Sequence, residues 1–377
     1  MRYYLIAGEA SGDLHGSNLM RELTAIDKDA EFRFWGGDLM AKYGGKPVKH
    51  INELAIMGFI RVLMNIRTIL NNIKLCKTDI EKFNPDVVIL IDYAGFNLKI
   101  AEFAKKKGFR VHYYIAPKLW AWKTYRIKSI KKYVDRMFSI LPFEPDFFAK
   151  YNFKVDYVGN PVNDEVFAQK QNTILFKEVV EKNKLPDKPV IALLAGSRRQ
   201  EISQVLPEML KVVDLFGDYQ FVIAGAPAID ESFYFQFTEK SDIKIVYNQT
   251  YDLLKISKAA IVTSGTATLE TALFEIPQVV CYKMNIPDFA FKLGRKLIKT
   301  KWISLVNLIL NYEAVVELTQ NNLNKKNIYK ELDKILNDSE YRLAMLNSYR
   351  ELQKILGNPG ASQKAATMIY SDIQPNN

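Results

Sequence analysis

Short apolar runs of strand length alternate along this chain with longer segments of helical period. In the first half Tyr3–Ala7, Phe32–Trp35, Val87–Ile91, Val111–Ile115, Arg136–Ile140 and Val155–Val158 read as strands. Between them Gly16–Ile26, Ile60–Lys77 and Leu98–Lys107 read as helices. The best of these runs are apolar at consecutive positions, as strands covered on both faces are. Strands alternating with helices predict βαβ units and a parallel sheet. After a polar stretch near 162–187 the pattern starts again. Val190–Ala195, Phe221–Ala224, Ile243–Val246, Ala259–Thr263 and Gln278–Tyr282 continue the strands, with a helix from about Gln200 to Phe216. Beyond Asn322 the pattern is helical to the last residues. Both halves open alike, with a buried run that breaks into a glycine turn and enters a helix. The expected fold is α/β: two Rossmann-like domains facing across a cleft, over 1–163 and 164–345. Residues 346–377 form a C-terminal helix packing back on the first domain.

Composition narrows the picture. A chain of 377 residues exceeds one ordinary core and favours two domains. Hydrophobic residues at 48% and charged residues at 25% exclude a disordered chain. No stretch approaches the roughly 20 apolar residues of a spanning helix, and the N-terminal run is too short for a secretory leader. The expected location is cytoplasmic, soluble or peripheral to a membrane. Cys76 and Cys281 offer neither a disulfide framework nor zinc spacing. The net charge of +10 points to polyanions, whether nucleic acid, an anionic membrane or phosphate-bearing substrates. A lysine-rich surface that only maintains solubility is the plainer account.

Candidate chemistry gathers where ligands of such sheets bind, outside the carboxyl ends of the strands. After β-run Tyr3–Ala7 come Gly8, Glu9, Ser11, Gly12, Asp13 and His15. Their spacing is neither the dinucleotide fingerprint nor a Walker loop. Val87–Ile91 ends at Asp92, where partial desolvation would raise a carboxyl pKa and suit a general base. Glu9, Ser11, Asp13 and His15 compete for that role, His15 because imidazole titrates near neutrality. In the second half Gly196-Ser197-Arg198 supplies a turn and a guanidinium fork for phosphate. Ser264-Gly265-Thr266-Ala267 opens a helix, where a Ser264 cap and free amides make an anion site. Glu270, one turn in, could take both hydroxyls of a ribose. An ordinary capped helix would carry the same residues.

Two basic stretches bear on partners. Within Gly58–Lys77, Phe59, Val62, Leu63, Ile66, Ile69, Leu70 and Ile73 share a helical face, with Arg61, Arg67, Lys74 and Lys77 and no acid. That is the pattern of an interfacial helix, and equally of a core helix. Lys118–Arg136 mixes Trp120, Trp122, Tyr125 and Tyr133 with lysines and arginines, which suits lipid headgroups, a sugar phosphate or single-stranded nucleic acid. A third basic run is Lys292–Lys301.

A set of short motifs, in order over nearly the whole chain, resembles lipid-A-disaccharide synthases, glycosyltransferases of the GT-B type. They are Ala7–Asp13, Glu53–Gly58, Ile91-Asp92, Phe96-Asn97, Trp120-Ala121-Trp122, Leu141-Pro142-Phe143-Glu144, Gly196–Arg198, Ser264–Ala267 and Ser304–Leu308. The resemblance implies transfer of diacylglucosamine from UDP-2,3-diacylglucosamine to the 6-hydroxyl of 2,3-diacylglucosamine 1-phosphate, with inversion and release of UDP. It implies no metal and no organic cofactor. The second half would bind UDP through Gly196, Ser197, Arg198, Ser264, Gly265, Thr266, Ala267 and Glu270. The first half would bind the acceptor at the cytoplasmic surface of the inner membrane. Asp92, Arg198 and Asn307 become the catalytic set, Asn307 as a polar contact near the leaving group or as a loop-fixing amide. The partners are the two lipid substrates, without nucleic acid, and a homodimer is compatible with the pattern. Three departures stand out. Tyr93-Ala94-Gly95 follows Asp92 where the family has a proline and an acid, and Ala195 and Val306 replace usual prolines. A UDP-sugar epimerase, or a transferase with a soluble acceptor, would use the same architecture. A nucleic-acid-binding module would use only the basic aromatic segment.

Overall fold

A computed structural model describes residues 1–54, 66–121, 123–239, 242–297 and 300–374. Its contacts divide the chain into two units, Met1–Pro161 with the residues from Asn358 onward, and Val162–Gly357.

The first unit is a parallel sheet of β1 (Arg2–Ala7), β2 (Glu31–Gly36), β3 (Lys49–His50), β4 (Val87–Ile91), β5 (Arg110–Tyr114), β6 (Arg136–Ser139) and β7 (Asp156–Tyr157). The spatial order is β3-β2-β1-β4-β5-β6-β7. Successive side chains on a strand point to opposite faces, so each apolar run feeds two cores. Tyr4, Ile6, Val88 and Leu90 lie in one, and Tyr3, Leu5, Ala7, Val87, Ile89 and Ile91 in the other. The second unit repeats the plan with β8 (Val190–Leu194), β9 (Gln220–Gly225), β10 (Lys244–Tyr247), β11 (Ser257–Thr263), β12 (Gln278–Tyr282) and β13 (Glu317–Thr319). Its order is β10-β9-β8-β11-β12-β13. Both are doubly wound sheets. The order reverses between β1 and β4 in one and between β8 and β11 in the other, which is where such sheets take ligands.

Three details differ from the sequence pattern. Strands β3 and β13 are too short to carry a periodicity. The first helix spans Ala10–Ile26, so Ser11, Gly12, Asp13 and His15 sit in its opening turns rather than in a loop. The boundary expected at 345/346 falls inside the helix Ser339–Leu356, which belongs to the second unit. The chain returns to the first unit through Gly357 and Gly360, both at positive φ. The helix Ala361–Ile373 then lays Ala365, Ala366 and Ile369 on the core that holds Tyr3 and Leu5. Its Asp372 carboxylate accepts from His112 Nε2 at 2.9 Å and lies 2.5 Å from Arg110 and 3.4 Å from Arg136. The His112 bond, more than the arginine beside it, holds the Asp372 carboxyl well below the usual carboxylate range.

Candidate functional site

Asp92 ends β4 at the reversal point of the first sheet. It and Tyr93 both adopt left-handed backbone, φ 42° and 45°. For non-glycine residues that costs of order 1–2 kcal/mol each. The turn is held from below: the Asp92 carbonyl accepts from Asn97 Nδ2 at 2.9 Å and from the buried Tyr113 hydroxyl. It is held from the side by the Tyr93 ring, which stacks on Phe96 at 5.5 Å and lies against Gly8. A Cβ on Gly8 would run into that ring, which is why the residue after β1 is glycine.

This turn lines a cavity of about 270 Å³ with Glu9, Lys118, Lys123 and Arg126. Burial pushes the Asp92 carboxyl up; Lys118 draws it down, Glu9 pushes it up and the Tyr93 N–H draws it down. The result is a carboxyl above the ordinary aspartate range, facing three cationic side chains. It is suited to take a proton from a hydroxyl whose molecule also carries a phosphate.

The neighbouring candidates divide. Glu9 is the N-cap residue of the helix Ala10–Ile26, without a side-chain cap bond, and lines the cavity. Ser11 is exposed in the first turn of that helix. Gly12 allows helix and strand to close, since a Cβ there would meet the Ala7 Cβ at 3.1 Å. Asp13 points the other way. It is 4% exposed, and its carboxylate accepts from the backbone N–H groups of Gly37 at 2.7 Å, Leu39 at 3.1 Å and Met40 at 3.1 Å. It anchors the start of the helix Asp38–Gly44. Burial lowers the His15 pKa to about 4.

In the second unit, Gly196 (φ +114°) turns the chain out of β8 into the helix Arg199–Leu210, with Arg198 as its N-cap. Glu201 folds back on this loop, accepting from the Ser197 N–H at 3.2 Å and lying 3.3 Å from Arg198 Nη1. A carboxylate thus sits on the donors expected to hold phosphate. At the end of β11 the helix Thr266–Leu273 starts at Gly265 without a side-chain cap. Ser264, expected as that cap, instead donates its hydroxyl to the Ile303 carbonyl at 3.2 Å. Gly265 and Thr266 are exposed and Ala267 partly so. Glu270 accepts from the Tyr251 hydroxyl at 2.8 Å, and burial together with Glu165 raises its pKa against that bond.

Asn307 is buried and committed. Its amide donates to the Val315 carbonyl at 2.8 Å and to Glu317 at 2.9 Å, and accepts from the N–H groups of Ala314 and Val315. Glu317 also accepts from the N–H groups of Ile303 and Ser304. Asn307 therefore fixes the loop that Ser264 touches, with both atoms of its amide engaged by that loop. Sequence reasoning passed over Glu317, Tyr113 and Tyr251. Each is an ordinary polar residue whose partner lies far along the chain. Among the described residues, no group of three or more His, Cys, Asp or Glu side chains is placed to hold a metal ion.

The sequence profile described as lipid-A-disaccharide synthetase matches residues 3–368. The chain belongs to the lipid-A-disaccharide synthase family. Family members from Coxiella burnetii and Syntrophus aciditrophicus are 36% and 35% identical to it, across 98% of this chain and 98% and 97% of theirs. One from Geobacter sulfurreducens is 32% identical over 98% of this chain and 96% of its own. Among solved structures, the UDP-GlcNAc 2-epimerase of Neisseria meningitidis bound to UDP-GlcNAc superposes with TM-score 0.70 at 14% identity, covering 98% of this chain and 100% of that one. A calicheamicin glycosyltransferase gives 0.59 at 15% identity, with 98% of each chain covered. These two likenesses establish the fold. As a lipid-A-disaccharide synthase, the chain is a glycosyltransferase of lipid A biosynthesis.

Proposed function

We propose that this glycosyltransferase joins UDP-2,3-diacylglucosamine to 2,3-diacylglucosamine 1-phosphate with inversion at the anomeric carbon. The observation that carries the reading is the desolvated Asp92 carboxyl in a cavity shared with Lys118, Lys123 and Arg126. Asp92 takes the proton of the acceptor 6-hydroxyl as that oxygen bonds to C1 of the donor sugar. The bond from C1 to the diphosphate oxygen breaks, its electron pair leaving with UDP. The three cationic side chains hold the acceptor 1-phosphate. Gly196, Ser197, Arg198, Gly265, Thr266 and Ala267 take the charge growing on the diphosphate, and Glu270 takes the ribose hydroxyls.

The test is release of UDP from purified protein given both substrates. Asp92→Asn is expected to lower kcat by about 10²–10⁴-fold with its melting curve unchanged. Turnover within tenfold of wild type would remove Asp92 from the mechanism. UDP-sugar conversion without any acceptor would favour the epimerase reading.

Acyl-chain substrates imply work at a membrane surface. No described helix is long and apolar enough to cross one. Of the face expected to lie on lipid, Phe59, Val62 and Leu63 fall outside the described residues, and Ile66 opens the helix Ile66–Phe83. Ile69 and Ile73 pack on the core of the first unit, whereas Leu70 and Leu75 are 58% and 45% exposed. The lipid-facing reading therefore rests on Leu70 and Leu75, beside Arg67, Lys74 and Lys77. Phe289 and Leu293, 74% and 64% exposed in a basic segment, add a second apolar patch of the same character.

A further inference from the structure

Two motifs of the family pattern, Trp120-Ala121-Trp122 and Leu141-Pro142-Phe143-Glu144, have no part in the reaction as derived above. Trp120 of the first meets Phe143 and Glu144 of the second inside the first unit. The Trp120 indole N–H donates to Glu144 Oε1 at 3.0 Å, and Glu144 Oε2 accepts from the Leu141 N–H at 3.2 Å. The Phe143 ring meets the Trp120 ring edge-on, centroids 5.2 Å apart. Trp120 is 7% exposed and Glu144 only 1%. A carboxyl buried this deeply is retained at a cost, offset here by hydrogen bonds from Trp120 and from the Leu141 and Ile140 backbone.

The bond from Trp120 reaches the segment that walls the Asp92 cavity, and the bond from Leu141 fixes Glu144 on its own turn. Pro117, Lys118 and Leu119 line it, and Trp120 is the next residue. The segment is a tight turn: the Leu119 N–H donates to the Pro117 carbonyl at 2.6 Å, and the Ala121 N–H to the Lys118 carbonyl at 3.2 Å. Thr124 Oγ1 donates to the Leu119 carbonyl at 3.2 Å. Pinning the Trp120 ring therefore fixes the backbone of Lys118. That exposed lysine is the cation common to both carboxyls. It draws down Asp92 and, more weakly than the hydrogen bonds do, Glu144, which burial has pushed up to about 8.

We propose that Trp120 and Glu144 are positioning residues, which hold the Pro117–Leu119 turn so that Lys118 stands in the Asp92 cavity as the cation that serves the base. The proposal rests on the reading of Asp92 given above. Other groups face Asp92 as well: Glu9 from the N-cap of Ala10–Ile26, Tyr93 from its own turn, Lys123 and Arg126 across the cavity, and Tyr113 beneath its carbonyl. Of these, Glu9 opposes Lys118. Losing the lysine, or its placement, therefore leaves Asp92 easier to protonate.

The readout is the acid limb of the kcat/KM profile for UDP release, measured on the full chain with both lipid substrates. Activity requires the carboxylate, so it falls as pH drops through the Asp92 pKa. Lys118→Met is expected to move that limb to higher pH by on the order of half a unit. Lys118→Arg keeps the charge and the wild-type limb. Trp120→Phe keeps the ring packing, loses the N–H, and moves the limb in the same direction. If Trp120 acts through Lys118, the double variant Trp120→Phe/Lys118→Met sits where Lys118→Met alone does. A Trp120→Phe enzyme that is slower without a shifted limb overturns the proposal, as do shifts that add in the double variant. Should Trp120→Phe fail to fold, Glu144→Gln takes its place with the same outcomes. Asp92→Asn separates the two readings: if it keeps turnover and the limb, the base assignment is wrong whatever Trp120 does.

Discussion

Asp13 offers the sharpest test of which acids near the first glycine turn do chemistry. Its carboxylate is buried and accepts three backbone N–H groups of the Gly37–Met40 turn, two on Oδ1 and one on Oδ2. In Asp13→Asn, Oδ1 remains an acceptor for Gly37 and Met40, but the amide nitrogen that replaces Oδ2 meets the Leu39 N–H donor to donor. One charge-assisted bond is lost and two are weakened, which costs about 2–4 kcal/mol. For a unit of this size each kcal/mol lowers the midpoint by about 2–4 °C, so melting should fall by roughly 4–16 °C. Asp13→Ala leaves all three donors without the carboxylate and should fall further. Thermal unfolding by circular dichroism gives the midpoint, and UDP release well below it gives turnover. The structural reading expects Asp13→Asn to keep kcat within a few-fold. Loss of turnover by 100-fold or more with an unmoved midpoint would refute it and return Asp13 to the list of bases.

Three further outcomes are expected. Asp372 has its pKa depressed by His112 and Arg110, so its contribution is complete above the unfolded carboxylate range near pH 4 and fades as pH falls below it. Asp372→Asn should therefore lose about 1.5–3 kcal/mol at pH 7, with the gap to wild type narrowing below pH 4 in urea titrations. Arg198→Ala should weaken UDP binding about 10–100-fold by calorimetry, while Glu201→Gln, which removes a carboxylate from the same donors, should tighten it; opposite signs would show that the loop does not meet the diphosphate. Leu70→Ser with Leu75→Ser should cut partition onto anionic vesicles by about tenfold or more without changing the melting curve, and unchanged partition would place the lipid contact elsewhere.

The long strands were legible because burial on both faces leaves an unbroken apolar run, as in Val87–Ile91 and Val190–Leu194. Strands β3 and β13 were not, since two or three residues carry no period. The opening of the first helix was misread for a physical reason. Gly12 looks like a turn former, but it serves contact: a Cβ there would meet the Ala7 Cβ at 3.1 Å. Asp92 was legible as an acid that ends a buried strand. Its supports were not, because hydrogen bonds that set a site join residues remote in sequence. Tyr113 is 21 positions from Asp92, and Trp120 is 24 from Glu144. Asn307 shows the converse: a polar residue in an apolar run marked something buried, and only its four partners show that it braces a loop.

The return of the helix Ala361–Ile373 to the first unit makes the second unit an insertion within the first. During synthesis the sheet β1–β7 is complete once residue 161 has emerged, yet the core on one side of it still lacks Ala365 and Ile369. Nearly two hundred residues separate the two segments, about 10–40 s of translation at ordinary speeds. For that interval the first core lacks its last helix, and the second unit is joined to the first at its N-terminal end alone. A chain that stops before Ala361 holds both sheets and lacks only the helix that completes the first core.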